Sequence, residues 1–285
     1  MQETRIAGFP ALAAPGRRDL PLVLMMHGAF STHEPFRPWV KLFSERGFRV
    51  VAVSRRGRLG VGPAQAEGIE IADYLEDTRQ VIEALGEKPI LVGHSLGGLI
   101  AQKMAEEDRC AAIVLVAPAP AAPLVPALSA LPSLSRLMPG ILMGKPLAPS
   151  LETSGHAALN RVCPTQRRRI QDAMVHESGT VFRQMMLGRI RVDPSKVRCP
   201  VLVLGGRDDL VVPPRLAKVT ADHYGTELVM YENNGHWLPE EEGSDAIASG
   251  IIEWIEAKLH KGALPAQPST KDMLIVTRAG RTRSQ

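Results

Sequence analysis

The sequence predicts an α/β fold: a mostly parallel, doubly wound sheet flanked by helices, with a helical segment inserted into it. Three observations carry that expectation. Short apolar runs alternate with longer amphipathic ones from Leu22 to Val116 and again from Val201 to Leu259. A tight Gly-x-Ser-x-Gly turn, Gly93-His94-Ser95-Leu96-Gly97, joins one apolar run to the helical pattern after it. Between Ala117 and about Val197 the alternation stops, and no buried strand is legible there.

Taken in chain order, residues around Thr4–Ala14 suit a short edge hairpin. Strands are expected near 22–26, 48–53, 89–93, 112–116, 201–205 and 227–231, each a short run of Val, Ile, Leu or Met. Helices are expected near 36–46, 69–85, 96–107, 214–223 and 244–259. No internal repeat is visible. The interruption opens on Pro118-Ala119-Pro120-Ala121-Ala122-Pro123 and continues in short apolar helical patterns, since a loop of that length is rarely structureless in a compact domain.

The serine turn needs glycines two residues to either side, because a side chain there would meet the adjoining strand or helix. The turn places Ser95 in a strained conformation above the sheet edge and leaves the Leu96 N–H at a helix N-terminus, aimed where negative charge would develop. Upstream, Leu20-Pro21-Leu22-Val23-Leu24-Met25-Met26 ends in His27-Gly28-Ala29-Phe30. Gly28 permits close backbone approach, and Ala29 offers a second N–H beside that of Leu96; the His27 side chain reads as a structural imidazole. Downstream, Val201–Leu204 runs into Gly205-Gly206-Arg207-Asp208-Asp209. One of the two acids is placed to orient a histidine, and motif register favours Asp209, with Asp208 as a turn or cap residue. Finally Glu227–Tyr231 leads to a turn-rich loop in which His236 lies between Gly235 and Pro239. A histidine C-terminal to both a nucleophile and an acid, each at a strand end, reads as a base.

These four segments, in this order, resemble the α/β-hydrolase superfamily over roughly residues 20 to 258. The resemblance implies a Ser95–Asp209–His236 triad and an oxyanion hole of the Ala29 and Leu96 N–H groups, with His27, Gly28, Gly93 and Gly97 in support. It also implies a helical cap over the site. The expected organisation is a core of 1–119 and 196–260, a cap of 120–195, and a basic tail of 261–285. Within the cap, Leu128, Leu131, Leu134, Leu137, Met138, Ile141, Leu142 and Met143 fall at roughly helical spacing, and Met174, Met185 and Met186 add adaptable thioethers. Most of these pack the cap onto the body. Phe30, His94, Met138, Met143, Met185 and Trp237 are the candidate substrate-binding residues.

The implied reaction is cleavage of a carboxylic ester or lactone of a small apolar substrate through an acyl-enzyme on Ser95, with no metal or organic cofactor. Carbon–carbon bond hydrolysis, thioester hydrolysis and cofactor-free perhydrolysis use the same triad, and the fold also serves as a non-catalytic small-molecule receptor. Epoxide-hydrolase-like members carry aspartate at the elbow and tyrosines in the cap. This chain has Ser95, and its only tyrosines are Tyr74, Tyr224 and Tyr231.

Arg55-Arg56-Gly57-Arg58 is a tempting anion site, but an Arg-Gly pair in that loop reads more readily as structure. Glu177-Ser178-Gly179 lies in the interruption with no partner that the sequence reveals.

Composition sets outer bounds. At 285 residues and 45% hydrophobic content, one domain with an insertion can build a full core. Cys110, Cys163 and Cys199 lack metal-ligand spacing and suggest unpaired thiols in a reducing compartment. The N-terminus has no secretory pattern and no run is long enough for stable membrane insertion, so a cytoplasmic location is expected. Lys261, Lys271, Arg278, Arg281 and Arg283 against Asp272 carry the whole net charge of +4, leaving a neutral body. With no nucleic-acid motif present, no nucleic-acid partner is expected. The oligomeric state is open.

Overall fold

The computed structural model describes residues 1–58, 62–122 and 131–264, the last range without the side chains of 131–134. Eight strands form one sheet: β1 (Gln2–Ile6), β2 (Phe9–Ala14), β3 (Val23–Met26), β4 (Val50–Val53), β5 (Ile90–His94), β6 (Ala112–Val116), β7 (Val201–Gly206) and β8 (Leu228–Tyr231). Their spatial order is β1-β2-β4-β3-β5-β6-β7-β8. The hairpin β1–β2 is antiparallel and joins β4 antiparallel; every later pairing is parallel. The expected strands and the edge hairpin are therefore all present.

Five helices cover the sheet: α1 (Arg37–Glu45), α2 (Ile71–Leu85), α3 (Leu96–Glu106), and, after an insertion, α8 (Pro214–Tyr224) and α9 (Ser244–His260). The insertion between β6 and β7 carries α4 (Leu131–Met143), α5 (Leu151–His156), α6 (Pro164–Ala173) and α7 (Gly179–Met186). Leu128 and the side chains of Leu131 and Leu134 lie outside the described residues, as does the chain beyond 264.

Alternation along each strand divides the core into two layers. Leu24, Met26, Leu91, Ile113 and Leu115 face α2 and α3. Val23, Met25, Val92, Val114 and Val116 face the other way, onto Trp39 and Phe43 of α1 and Ile247, Ile251 and Ile255 of α9. With both faces covered, the central strands are apolar at every position, which is why they read as continuous runs. Burying each such side chain is worth about 1.5–3 kcal/mol, and this two-sided core holds the strand ends still. Helix α3 is buried along almost its whole length, so the turn before it has little freedom.

Candidate active site

The C-terminal ends of β3, β5, β7 and β8 open onto one rim of the sheet, where α/β folds place ligands. Ser95 stands between β5 and α3 at φ 52°, ψ −116°, outside the regions ordinary residues occupy. The turn leaves no room at its flanks. A Cβ on Gly93 would lie 2.4 Å from the Gly97 carbonyl oxygen, and one on Gly97 would lie 2.2 Å from that of Met26 on β3. As the first residue of α3, Leu96 presents an N–H with no intrahelical acceptor.

The loops after β7 and β8 bring two more side chains to the serine. His236 Nε2 lies 3.0 Å from Ser95 Oγ, and His236 Nδ1 lies 2.8 Å from Asp209 Oδ2. Both His236 and Asp209 are buried. The second Asp209 oxygen accepts the N–H groups of Val211 and Val212, each at 2.8 Å, so the carboxylate cannot rotate freely. Asp208 points elsewhere, pairing with Arg161 of the insertion at 2.7 Å. The two loops are tied by backbone: Asp208 donates to the Asn234 carbonyl at 2.9 Å. A Cβ on Gly206 would fall 2.2 Å from the Gly235 carbonyl oxygen.

Two further groups fix His236. Glu241 accepts the N–H groups on both sides of it, from Gly235 at 2.7 Å and Trp237 at 2.9 Å. Burial raises the Glu241 carboxyl while these bonds pull it back. Its position five residues past His236, in a loop already marked for function, was the available sequence signal. His94 Nε2 donates to the His236 carbonyl at 2.8 Å. Burial, followed by the neighbouring His236, pushes His94 down to about 3, so it is a neutral donor at ordinary pH.

On the other side of Ser95 lies the loop after β3. A Cβ on Gly28 would come within 3.1 Å of the Ser95 Cβ and 2.9 Å of His94 Nδ1, so only glycine lets this backbone sit beside the serine. His27 Nδ1 donates to the Gly28 carbonyl at 2.8 Å, and its Nε2 accepts the Arg55 N–H at 3.3 Å, which fixes one neutral tautomer. Burial holds His27 well below the usual histidine range, with the Arg55 charge adding to the effect. Phe30 adopts φ 59°, a costly conformation for an aromatic residue, of order 1–3 kcal/mol. Its ring packs 5.5 Å from that of Phe182 on α7, so the insertion helps hold the strained residue in place.

A cavity of about 160 Å³ opens above these groups. Phe30, His94, Ser95, Leu96, Met185, His236 and Trp237 line it, as do Leu137, Met174, Phe182 and Met186 of the insertion and Val211, Val212 and Leu216 of the core. No Asp, Glu, Lys or Arg lines it among the described residues. Met138 and Met143, expected in the wall, are not there. Leu137 and Ile141 form the inward stripe of α4, and Met138 stands on the adjacent face. Met143, at the helix end, is 65% exposed. Val211, Val212 and Leu216 were missed because their contribution depends on how the loop after β7 folds back over the serine.

A sheet of this order, with a serine at a tight strand-to-helix turn and an acid and a histidine converging on it, defines a class of α/β fold. A model of the Alpha/beta hydrolase family matches residues 23–249, and the chain belongs to that family. It is 28% identical over 232 residues to the AB hydrolase superfamily protein YisY of Bacillus subtilis, covering 77% of this chain and 86% of that protein. It is also 37% identical over 94 residues to Epoxide hydrolase 1 of Caenorhabditis elegans, a match spanning 32% of this chain and only 23% of that protein. Among solved structures, the monoacylglycerol lipase of Paleococcus ferrophilus superposes with a TM-score of 0.67 at 22% identity, covering 90% of this chain and 99% of that one. Among the described residues, no helix is long and apolar enough to cross a membrane.

Proposed function

We propose that this protein is a serine hydrolase that cleaves a carboxylic ester or lactone of a small apolar substrate. One observation carries the reading: His236 bridges Ser95 and Asp209 beneath a cavity whose wall, among the described residues, holds no charged side chain. In the proposed reaction, His236 Nε2 takes the Ser95 proton as Oγ attacks the substrate carbonyl. Asp209 keeps the other ring proton on Nδ1 and stabilises the imidazolium. The Ala29 and Leu96 N–H groups bind the tetrahedral oxyanion; each such donor is worth roughly 2.7–4 kcal/mol. The protonated imidazole then gives its proton to the leaving alkoxide, and the acyl group stays on Ser95. Water, deprotonated by the same histidine, attacks the acyl-enzyme and releases the acid with the serine restored. Residues 120–195 act as a cap that supplies the apolar wall.

Ser95 separates the proposed chemistry from that of family members with aspartate at the elbow, and the partial similarity to a protein named Epoxide hydrolase 1 does not change that reading. The cavity favours uncharged esters over carbon–carbon substrates that bear a carboxylate, because such an anion would find no Lys or Arg among the described residues of the wall. The test is turnover of p-nitrophenyl esters by the wild type and by Ser95→Ala. Full loss in the variant, with the fold retained, is expected; retained turnover would move the nucleophile elsewhere. A fluorophosphonate adduct on Ser95 without turnover of any ester, lactone or thioester would favour a receptor.

A further inference from the structure

Glu177, in the insertion, is wholly buried, and the proposed reaction makes no direct use of it. Its Oε2 lies 2.5 Å from Arg58 Nη2 and 4.0 Å from Arg55 Nη2. Its Oε1 accepts the Tyr74 hydroxyl at 2.5 Å and the Ser178 N–H at 2.9 Å. Among the described residues, no other carboxylate reaches ion-pair distance of either guanidinium.

Both arginines donate to the loop after β3, and Arg58 Nη1 also donates to the His176 carbonyl of the insertion at 3.3 Å. Arg55 Nη1 donates to the His27 carbonyl at 2.6 Å and Nη2 to the Gly28 carbonyl at 3.1 Å. Arg58 Nε donates to the Ser31 carbonyl at 3.0 Å. The Phe30 carbonyl accepts the Val175 N–H of the insertion at 3.0 Å. Thus four carbonyls of residues 27–31 are pinned. The Arg55 Nε is buried without a partner, so its guanidinium is set by the carbonyls and by Glu177 rather than by its own full satisfaction.

The Gly28 carbonyl and the Ala29 N–H belong to one trans peptide, so they point in opposite directions. Holding that carbonyl from behind, with Arg55 and His27, therefore aims the N–H forward. We infer that Glu177 is a positioning residue: it anchors Arg55 and Arg58 and through them fixes the Gly28–Ala29 peptide as an oxyanion donor, coupling the seating of the insertion to transition-state stabilisation. This rests on the ester-hydrolase reading above. Two positive groups buried together would repel; one shared carboxylate lets both stay charged and in place.

The test compares an oxoester with the matching thionoester, whose sulfur is larger and a weaker hydrogen-bond acceptor. A misaimed donor should depress kcat for the oxoester much more than for the thionoester, whereas general damage depresses both. For Glu177→Gln, oxoester kcat should fall about 10- to 100-fold, with KM within about 2-fold and thionoester kcat within about 3-fold. Glu177→Asp, which keeps the charge, should recover part of the loss. Tyr74→Phe, a milder change, should shift the same ratio about 3- to 10-fold, and it decides the matter if Glu177→Gln does not fold. An unchanged oxoester-to-thionoester ratio in the folded variants overturns the inference. Failure of the wild type to turn over any ester, or retained turnover in Ser95→Ala, would instead remove the reading beneath it.

Discussion

On one side of Ser95, the loops after β7 and β8 are tied to each other by the Asp208 N–H on the Asn234 carbonyl and by Asp209 on His236. Each is stiffened from within by a carboxylate, Asp209 or Glu241, that accepts two N–H groups of its own loop. On the other side, the loop after β3 is tied to the insertion through Arg55, Arg58 and Glu177. The first wall is built mainly from backbone N–H groups meeting fixed acceptors, with one partly exposed ion pair, Arg161 with Asp208, at its edge. The second depends on buried charges brought from segments 119 residues apart. The difference teaches that the histidine side closes with only a half-exposed tie to the insertion, Arg161 on Asp208, whereas the proposed oxyanion side draws its counter-ion, Glu177, from inside the insertion.

The largest expected effect would remove the group both walls serve. Ser95→Ala should lower kcat by roughly 10⁴- to 10⁶-fold without lowering the melting temperature. Next comes the base side: Asp209→Asn should cost roughly 10⁴-fold in kcat, because it favours the wrong imidazole tautomer. Asp208→Asn, whose carboxylate faces Arg161, should stay within about 3-fold. Steady-state kinetics on one ester would decide; the reverse order would swap the two acids. The charged wall comes third, with the oxoester losses given above for Glu177→Gln. Equal losses for the thionoester would erase the contrast between the walls.

A smaller effect concerns pH. His94 titrates near 3 in the fold against an ordinary 6.5, so its folded value is depressed. Its contribution is fully present above about pH 6.5 and is lost as pH falls toward 3, by up to about 1.4 kcal/mol per pH unit. Denaturant unfolding from pH 7 to 4 should therefore have a shallower pH dependence in His94→Gln than in wild type; parallel curves would contradict a neutral buried imidazole. The least effect is expected of Met143→Ser, since that exposed side chain lines nothing: kcat within about 2-fold and stability within about 0.5 kcal/mol.

Legibility in the sequence followed the same division. Strands buried on both faces declare themselves as apolar runs, so Val23–Met26 or Ala112–Val116 could be placed within a residue or two. Gly93 and Gly97 mark the elbow because close backbone approach excludes every side chain. The meeting of His236 and Asp209 was legible because each lies in the loop after a strand end, Asp209 after β7 and His236 after β8. The wall of the cavity was not readable in the same way. A helical stripe says which residues share a face, but not which way that face turns, so Leu137 lines the space while Met138 does not. Glu177 was visible only as an unplaced acid, since its partners lie in a loop and a helix more than 100 residues earlier.

The buried Arg–Glu–Arg cluster has a consequence for anyone wishing to change what this protein accepts. Transplanting helices from another family member, to reshape the apolar chamber, would strip Arg55 and Arg58 of their counter-ion unless the donor segment brings an acid at the matching depth. A chimera designed by chamber shape alone would then bind new compounds and turn them over slowly. Carrying Glu177 across with the graft is the design rule that follows.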